Sequence, residues 1–186
     1  MQIPDEMRQA ASDIEIIRQI SEDVDSGFNL LVHTYGERLY LHIRRITLVH
    51  ADAEDALQET LLRVYRHLGK LRSDEALAPW LYRIATNEAL RQRRRGITIS
   101  IDEGTLADTH GPVADQYFDF SDIEAVHLQQ AIQSLPPRQQ TVFNLRYYDD
   151  FDYDTIAEIV GSSAGSAKVN YHLAKQKITR YMTERI

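Results

Sequence analysis

Apolar residues recur at three- and four-residue spacing along most of this chain, and no period-two alternation competes with them. The stripe Phe28, Leu31, Tyr35, Leu39, Ile43 and Ile46 predicts a long helix over about 26–47, with a shorter one before it at about 12–22. Ala53, Leu57, Thr60, Leu61, Val64 and Leu68 give a third helix over about 52–69, and Leu81, Ile84, Ala85 and Ala89 a fourth over about 76–95. The pattern then lapses in GITISIDEGTLADTHGPVADQYFDFSD, which has three Gly, one Pro and no sustained period. It resumes in helices over about 122–134, 137–148, 153–160 and 164–184, with Pro136 and Pro137 opening the second, where a missing N–H costs little. The predicted fold is all-α: two small helical domains, residues 1–95 and 125–186, joined by a flexible acidic linker, 96–124. Residues 1–11 are expected to be poorly ordered.

The polar sides of these helices differ in sign. On the third helix Asp52, Asp55 and Glu59 lie opposite the buried stripe, an exposed acidic face that suits a basic protein partner. Asp52 and Asp55 also read as an N-cap and first-turn carboxylates, which accounts for part of that face but not for Glu59. On the fourth helix Trp80, Arg83, Asn87, Arg91 and Arg94 share one side. A large π-face, an amide that donates and accepts, and several guanidinium groups are what binding of unstacked single-stranded DNA requires. The same residues are also readable as a core tryptophan and a solvated, cationic helix end.

The last two predicted helices form a helix-turn-helix. Ile156, Ala157 and Val160 make an apolar face, Gly161 permits the tight turn, and Ala167, Tyr171, Ala174, Ile178 and Tyr181 line the buried side of the second helix. Opposite lie Lys168, Val169, His172, Lys175 and Gln176, with Val169 able to meet a thymine methyl. Residues 164–186 hold five basic side chains and one acidic one.

Net charge of −7 over 186 residues looks wrong for a DNA binder, but it is unevenly placed. Residues 96–124 hold seven acids and no Lys or Arg, while 1–95 carry 14 basic and 15 acidic groups and 125–186 carry seven and six. Each predicted domain is therefore near neutral with a concentrated basic patch, and patch distribution decides affinity for nucleic acid. The absence of cysteine excludes disulfide scaffolds, thiol catalysis and cysteine-based zinc sites. The nearest approach to a metal cluster, His50 with Asp52, Glu54 and Asp55, reads as a helix start, so neither metal nor cofactor is expected. With no Gly-rich phosphate loop, nucleophile arrangement or paired-carboxylate pocket, no catalytic residues are assigned and an enzyme acting on a small-molecule substrate is disfavoured. No run of 18 apolar residues and no signal peptide are present, which predicts a cytoplasmic protein without membrane insertion.

The order FNLLVHTYGERLYLHIRR, ADAEDALQETLLRVYRHL, WLYRIATNEALRQRRR, an irregular tether, then LPPRQQTVFNLRYYDDFDYDTIAEIVGSSAGSAK resembles the extracytoplasmic-function class of bacterial RNA polymerase sigma factors across nearly the whole chain. The resemblance implies that Asp52, Glu54, Asp55, Gln58 and Glu59 dock on a coiled coil of the polymerase's largest catalytic subunit. It implies that Trp80, Arg83, Asn87 and Arg91, with Arg94 beside them, face the minus-ten promoter element and capture a base expelled as the strands separate. Ser163, Ser166, Lys168, Val169, Asn170 and His172 would read the minus-thirty-five element in the major groove, while the first helices of the C-terminal domain contact the polymerase flap. The tether would thread toward the path of nascent RNA, or serve only as a solvated linker. An anti-sigma protein would cover these faces in the inactive state, with Val169, Leu173, Tyr117, Phe118 and Phe120 contributing to that interface or to packing between the domains.

The chain departs from the family pattern where Arg is usual, at Asn170 and Leu173, where a β-branched apolar residue is usual, at Ala167, and where the turn often has an apolar residue, at Ser162. Weaker phosphate contact and an altered promoter preference follow from that, with a salt slope lower by about two phosphates. A helix-turn-helix regulator that never docks on polymerase is the alternative, and it leaves residues 51–95 unexplained.

Overall fold

The computed structural model describes residues 12–69, 76–102 and 123–184, and among them the only regular elements are eight α-helices. They are α1 (Asp13–Glu22), α2 (Val24–Thr47), α3 (His50–Leu68), α4 (Leu77–Asp102), α5 (Ile123–Gln133), α6 (Pro137–Tyr147), α7 (Tyr153–Val160) and α8 (Ala164–Thr183). Helices α1–α4 form one bundle and α5–α8 a second.

The first bundle is organised around α2, whose predicted stripe is the observed one: Leu31, Tyr35, Leu39, Ile43 and Ile46 are buried and Phe28 packs at the margin. Helix α1 buries Ile16 and Ile20 against it and starts at Ser12, whose hydroxyl accepts the Glu15 amide. The α1–α2 approach depends on Gly27, where an added Cβ would sit 2.5 Å from Ile20 N and 2.6 Å from Ile20 Cα. Because those atoms are backbone, Gly27→Ala must push α1 away, and the expected net cost is about 1–3 kcal/mol. A thermal melt should show Tm falling by several degrees.

Helix α2 ends at Leu48, which adopts φ 69° and hands its N–H to Arg44 O. A left-handed leucine is a costly way to stop a helix, and it turns the chain directly into α3. That helix begins earlier than expected. Ala53 N bonds Val49 O at 3.0 Å, so Val49 holds the cap position without a side-chain cap, and Asp52 belongs to the first turn rather than serving as N-cap.

Helix α4 also outruns its predicted end near residue 95. Its backbone stays helical to Asp102, so the first seven residues of the expected linker, 96–102, belong to a helix. A single glycine at 96 lowers helix propensity without stopping propagation, since Pro is absent from 96–102. Residues 103–122, with Tyr117, Phe118 and Phe120, lie outside the described residues, as do residues 1–11.

In the second bundle, α5 and α8 enclose a small core of Ala131, Ile132, Leu135, Phe143, Ala174 and Ile178. Helices α7 and α8 form the helix-turn-helix, with Gly161 at φ 64° and Ser162 N bonded to Ala157 O at 2.9 Å. Buried Ala157 and Ala167 let the two helices close. Asp152 caps α7 by accepting Thr155 N at 2.8 Å, and this bond holds its carboxyl below the ordinary 3.8. A depressed folded pKa contributes stability that is present above 3.8 and disappears as pH falls through the folded value. Asp152→Asn keeps the capping oxygen but cannot titrate, so its deficit against the parent in melts near neutrality is expected to close below pH 3.8.

The two bundles pack on each other, α6 against α2 and α7 against α4. Val142, Leu145, Ile156 and Ile159 share one continuous buried cluster with the first bundle, and Tyr82 meets Phe151 edge-on at 4.8 Å between ring centroids.

Candidate nucleic-acid and partner interface

Helix α3 carries its acids where the 3.6-residue period puts them. Glu54, Asp55, Gln58 and Glu59 are exposed, while Asp52 is half-buried and receives the Gln92 amide at 3.5 Å. His50 Nε2 lies 3.3 Å from Glu54 and its other ring nitrogen 2.7 Å from Tyr40 OH, so this histidine belongs to the helix start. Among the described residues no group of three or more His, Cys, Asp or Glu could hold a metal ion.

Along α4, Arg83, Asn87 and Arg94 are exposed on the expected side. Trp80 is half-buried and packs against the bundle core, between the exposed stacking face and the core position that the sequence leaves open. Arg91 differs more. Its Nε donates to Glu88 Oε2 at 2.7 Å, its Nη2 also contacts that carboxylate, and the same nitrogen lies 3.7 Å from Glu59. Glu88 is 3% exposed and receives Arg63 Nε at 2.8 Å as well, so one buried carboxylate pins two guanidinium groups. Arg83 and Arg94 are exposed cations of this face, the latter with its Nε turned back to Leu90 O at 3.2 Å. The i, i+3 spacing of Glu88 and Arg91 signals their pairing, but nothing local signals Arg63.

The acidic and basic faces touch. Arg91 to Glu59 and Gln92 to Asp52 both bridge α4 to α3, so the two surfaces form adjoining sides of one packed helix pair.

On α8, Lys168, Val169 and His172 are exposed, with Val169 at 58% and its neighbour one turn on, Leu173, at 38%. Ser163 caps the helix by accepting Ser166 N at 3.2 Å, leaving its O–H free to donate outward. Asn170 turns its amide back onto Ser166 O at 2.8 Å, so its donors are engaged within the helix in this state. Gln176 lies 3.1 Å from His172 Nε2. Lys175 sits 5.9 Å above the Tyr171 ring.

Residues 31–96 match the family Sigma-70 region 2, and residues 126–178 match Sigma-70, region 4. The ECF RNA polymerase sigma factor SigW of Bacillus subtilis is 27% identical over 179 residues, covering 90% of this chain and 95% of the relative. The RNA polymerase sigma-H factor of Pseudomonas aeruginosa is 29% identical over 181 residues, covering 90% and 92%. The structure of CnrH in complex with the cytosolic domain of CnrY superposes with a TM-score of 0.70 at 16% identity, covering 94% of this chain and 99% of that one. The sigma factor RpoE in complex with the anti-sigma factor NepR from Bartonella quintana gives 0.70 at 22%, covering 86% and 98%. No described helix is long and apolar enough to cross a membrane. Two helical bundles in this order, both matched regions, and near full-length relatives place the chain in the sigma-70 family as an RNA polymerase sigma factor of the extracytoplasmic-function class, a non-enzymatic subunit for transcription initiation.

Proposed function

We propose a division of labour among three helices for this initiation subunit. Exposed Glu54, Asp55, Gln58 and Glu59, with Asp52 behind them, dock α3 on a basic coiled coil of the polymerase's largest subunit. Trp80, Arg83 and Asn87 on α4 capture an unstacked base of the minus-ten element, and Arg94 meets the backbone beside it. Arg91 braces α4 to α3 through Glu59, and shares Glu88 with Arg63 of α3; it acts on DNA only when that brace loosens. Helix α8 enters the major groove at the minus-thirty-five element through Ser163, Ser166, Lys168, Val169, Asn170 and His172. The domains that do this work are residues 1–95, extended by the helix to 102, and 125–186.

The observation that carries this reading is the joining of the acidic and cationic faces through Arg91–Glu59 and Gln92–Asp52. A protein gripping polymerase on one side and melting template on the other needs the two sides held rigidly together. The alternative regulator has no use for such a pairing. Run-off transcription with bare core polymerase separates the two: the proposed function requires promoter-specific transcripts, whereas a non-docking regulator binds the DNA fragment and yields none.

Two of the structural neighbours are complexes, with CnrY and with the anti-sigma factor NepR. By analogy an anti-sigma protein controls this chain too, with exposed Val169 and Leu173 offering it an apolar foothold on α8. The chain acts in the cytoplasm, beside the polymerase it serves.

A further inference from the structure

Helix α3 is divided by charge along its length. Between residues 52 and 59 it holds Asp52, Glu54, Asp55 and Glu59 with no Lys or Arg, and between 60 and 68 it holds Arg63 and Arg66 with no acid. The first half is the acidic docking face, and the basic second half has no part in it. A helix dipole favours cations only in the last turn, which holds Arg66 and His67 and leaves Arg63 outside. The position of Arg63 therefore has another cause.

Arg63 reaches across the seam between α3 and α4 and sets its Nε 2.8 Å from Glu88 Oε1. Glu88 is 3% exposed, and a carboxylate so far out of water requires a cationic donor. Arg91 already meets that need, with its Nε 2.7 Å from Oε2 and its Nη2 on the same oxygen. Among the described residues the Arg63 guanidinium engages Glu88 through Nε alone, and its side chain is 48% exposed, which leaves its two Nη groups open to a ligand. Anchoring at Nε fixes the plane of the group. A fixed fork of amino groups is the geometry that meets a phosphate with two hydrogen bonds.

Glu88 directly follows Asn87, so its partner Arg63 stands at the α3 edge of the face formed by Trp80, Arg83 and Asn87. The sequence assigns Arg91 to that face, yet Arg91 is engaged by Glu88 and Glu59. We infer that Arg63 takes its place: it binds a backbone phosphate of the single strand whose expelled base α4 captures, and Glu88 is its positioning residue. The inference rests on the assignment of α4 to the minus-ten element made above. Phosphate contacts set the register and orientation of a strand without reading its sequence, which is what a captured base requires of the backbone on either side. Glu59 lies 3.7 Å from Arg91, at one end of this charged group, and Arg66, exposed one turn beyond Arg63, adds positive charge at the other.

Holoenzyme made with the full-length chain is titrated into fork-junction DNA cut from a promoter that it transcribes, with the minus-ten element single-stranded. Arg63→Ala is expected to lower affinity by about tenfold, and by the same factor when the minus-ten bases are permuted, because a phosphate contact reads no base. The slope of log affinity against log salt should shrink by about 0.7, the share of one single-strand phosphate. Binding of the variant to core polymerase should match the parent's. Neutral methylphosphonate is then placed at one linkage at a time along the strand. At one position it should weaken the parent about as much as Arg63→Ala does and leave the variant unchanged, a coupling that a merely structural arginine would not show. If circular dichroism shows Arg63→Ala unfolded, Arg63→Gln, whose amide still donates to Glu88, carries the same comparison. Arg63→Lys keeps the charge without the fork, so it should restore the salt slope but not the full affinity. Unchanged affinity and slope in Arg63→Ala, or methylphosphonate effects equal in parent and variant at every position, overturn the phosphate contact, and full recovery by Arg63→Lys overturns the positioning by Glu88. Asn87→Ala on native and permuted strands tests the underlying assignment separately: an undiminished preference for the native bases would move base capture off α4 whatever Arg63 does.

Discussion

Asp55→Lys combined with Glu59→Lys is expected to weaken binding to core polymerase by about 100-fold or more, close to 3 kcal/mol, with the fold intact. Both side chains are exposed on α3, so their replacement leaves no buried group unpaired. Only the Glu59–Arg91 contact at 3.7 Å is lost, and a half-exposed pair of that kind is worth about 0–1 kcal/mol. Opposite charges on a docking face steer encounter and hold register, and reversing them sets like charges against each other. Affinity of the parent should fall as salt rises, while the variant's weak binding responds little. Titration of labelled chain into core polymerase at two salt concentrations measures both. Binding within a few-fold of the parent would move the docking surface off α3.

Asn87→Ala with Trp80→Ala is expected to slow promoter opening by about 100-fold while leaving the closed complex in place. Stacking of one base is worth about 1–3 kcal/mol, and loss of a hydrogen bond to that base adds about 1 kcal/mol. Asn87 is exposed and its loss leaves the bundle undisturbed. Trp80 is half-buried, so its truncation also lowers stability, and a template carrying a preformed bubble at the minus-ten element separates the effects. Such a template requires no capture of an expelled base and should restore transcription to near the parent level. Failure of the bubble to rescue would assign Trp80 to the core alone. Because Trp80 is the sole tryptophan, quenching of its fluorescence by fork-junction DNA reports stacking directly.

Hydrophobic period was enough to place every helix. The start of α6 at Pro137, the break at Gly161 and the stripe from Phe28 to Ile46 all follow from contacts within a few residues. The same local logic put Asp55 and Glu59 on one open face and Arg83 and Asn87 on another. It failed at α4 beyond residue 95, where lapse of amphipathic pattern was read as lapse of helix, although backbone propagation needs no apolar face. It also leaves Arg91 among the DNA-facing cations, because nothing in its own helix shows that Glu88 is buried beside it. Burial of Glu88 comes from α3 lying across it and bringing Arg63, 25 positions away in sequence.

Sequence alone therefore determined the helices, their order, the sign of each exposed face and the family those features mark. Tertiary packing alone decided which polar groups would be withdrawn from water. His42, Thr86 and Asp149 carry no local sign of partnership, and the bond from His42 to Asp149 joins residues 107 positions apart. Periodicity reports what a helix does with its own turn. Which distant carboxylate arrives to meet a buried imidazole depends on how whole bundles approach, and that is written only in three dimensions.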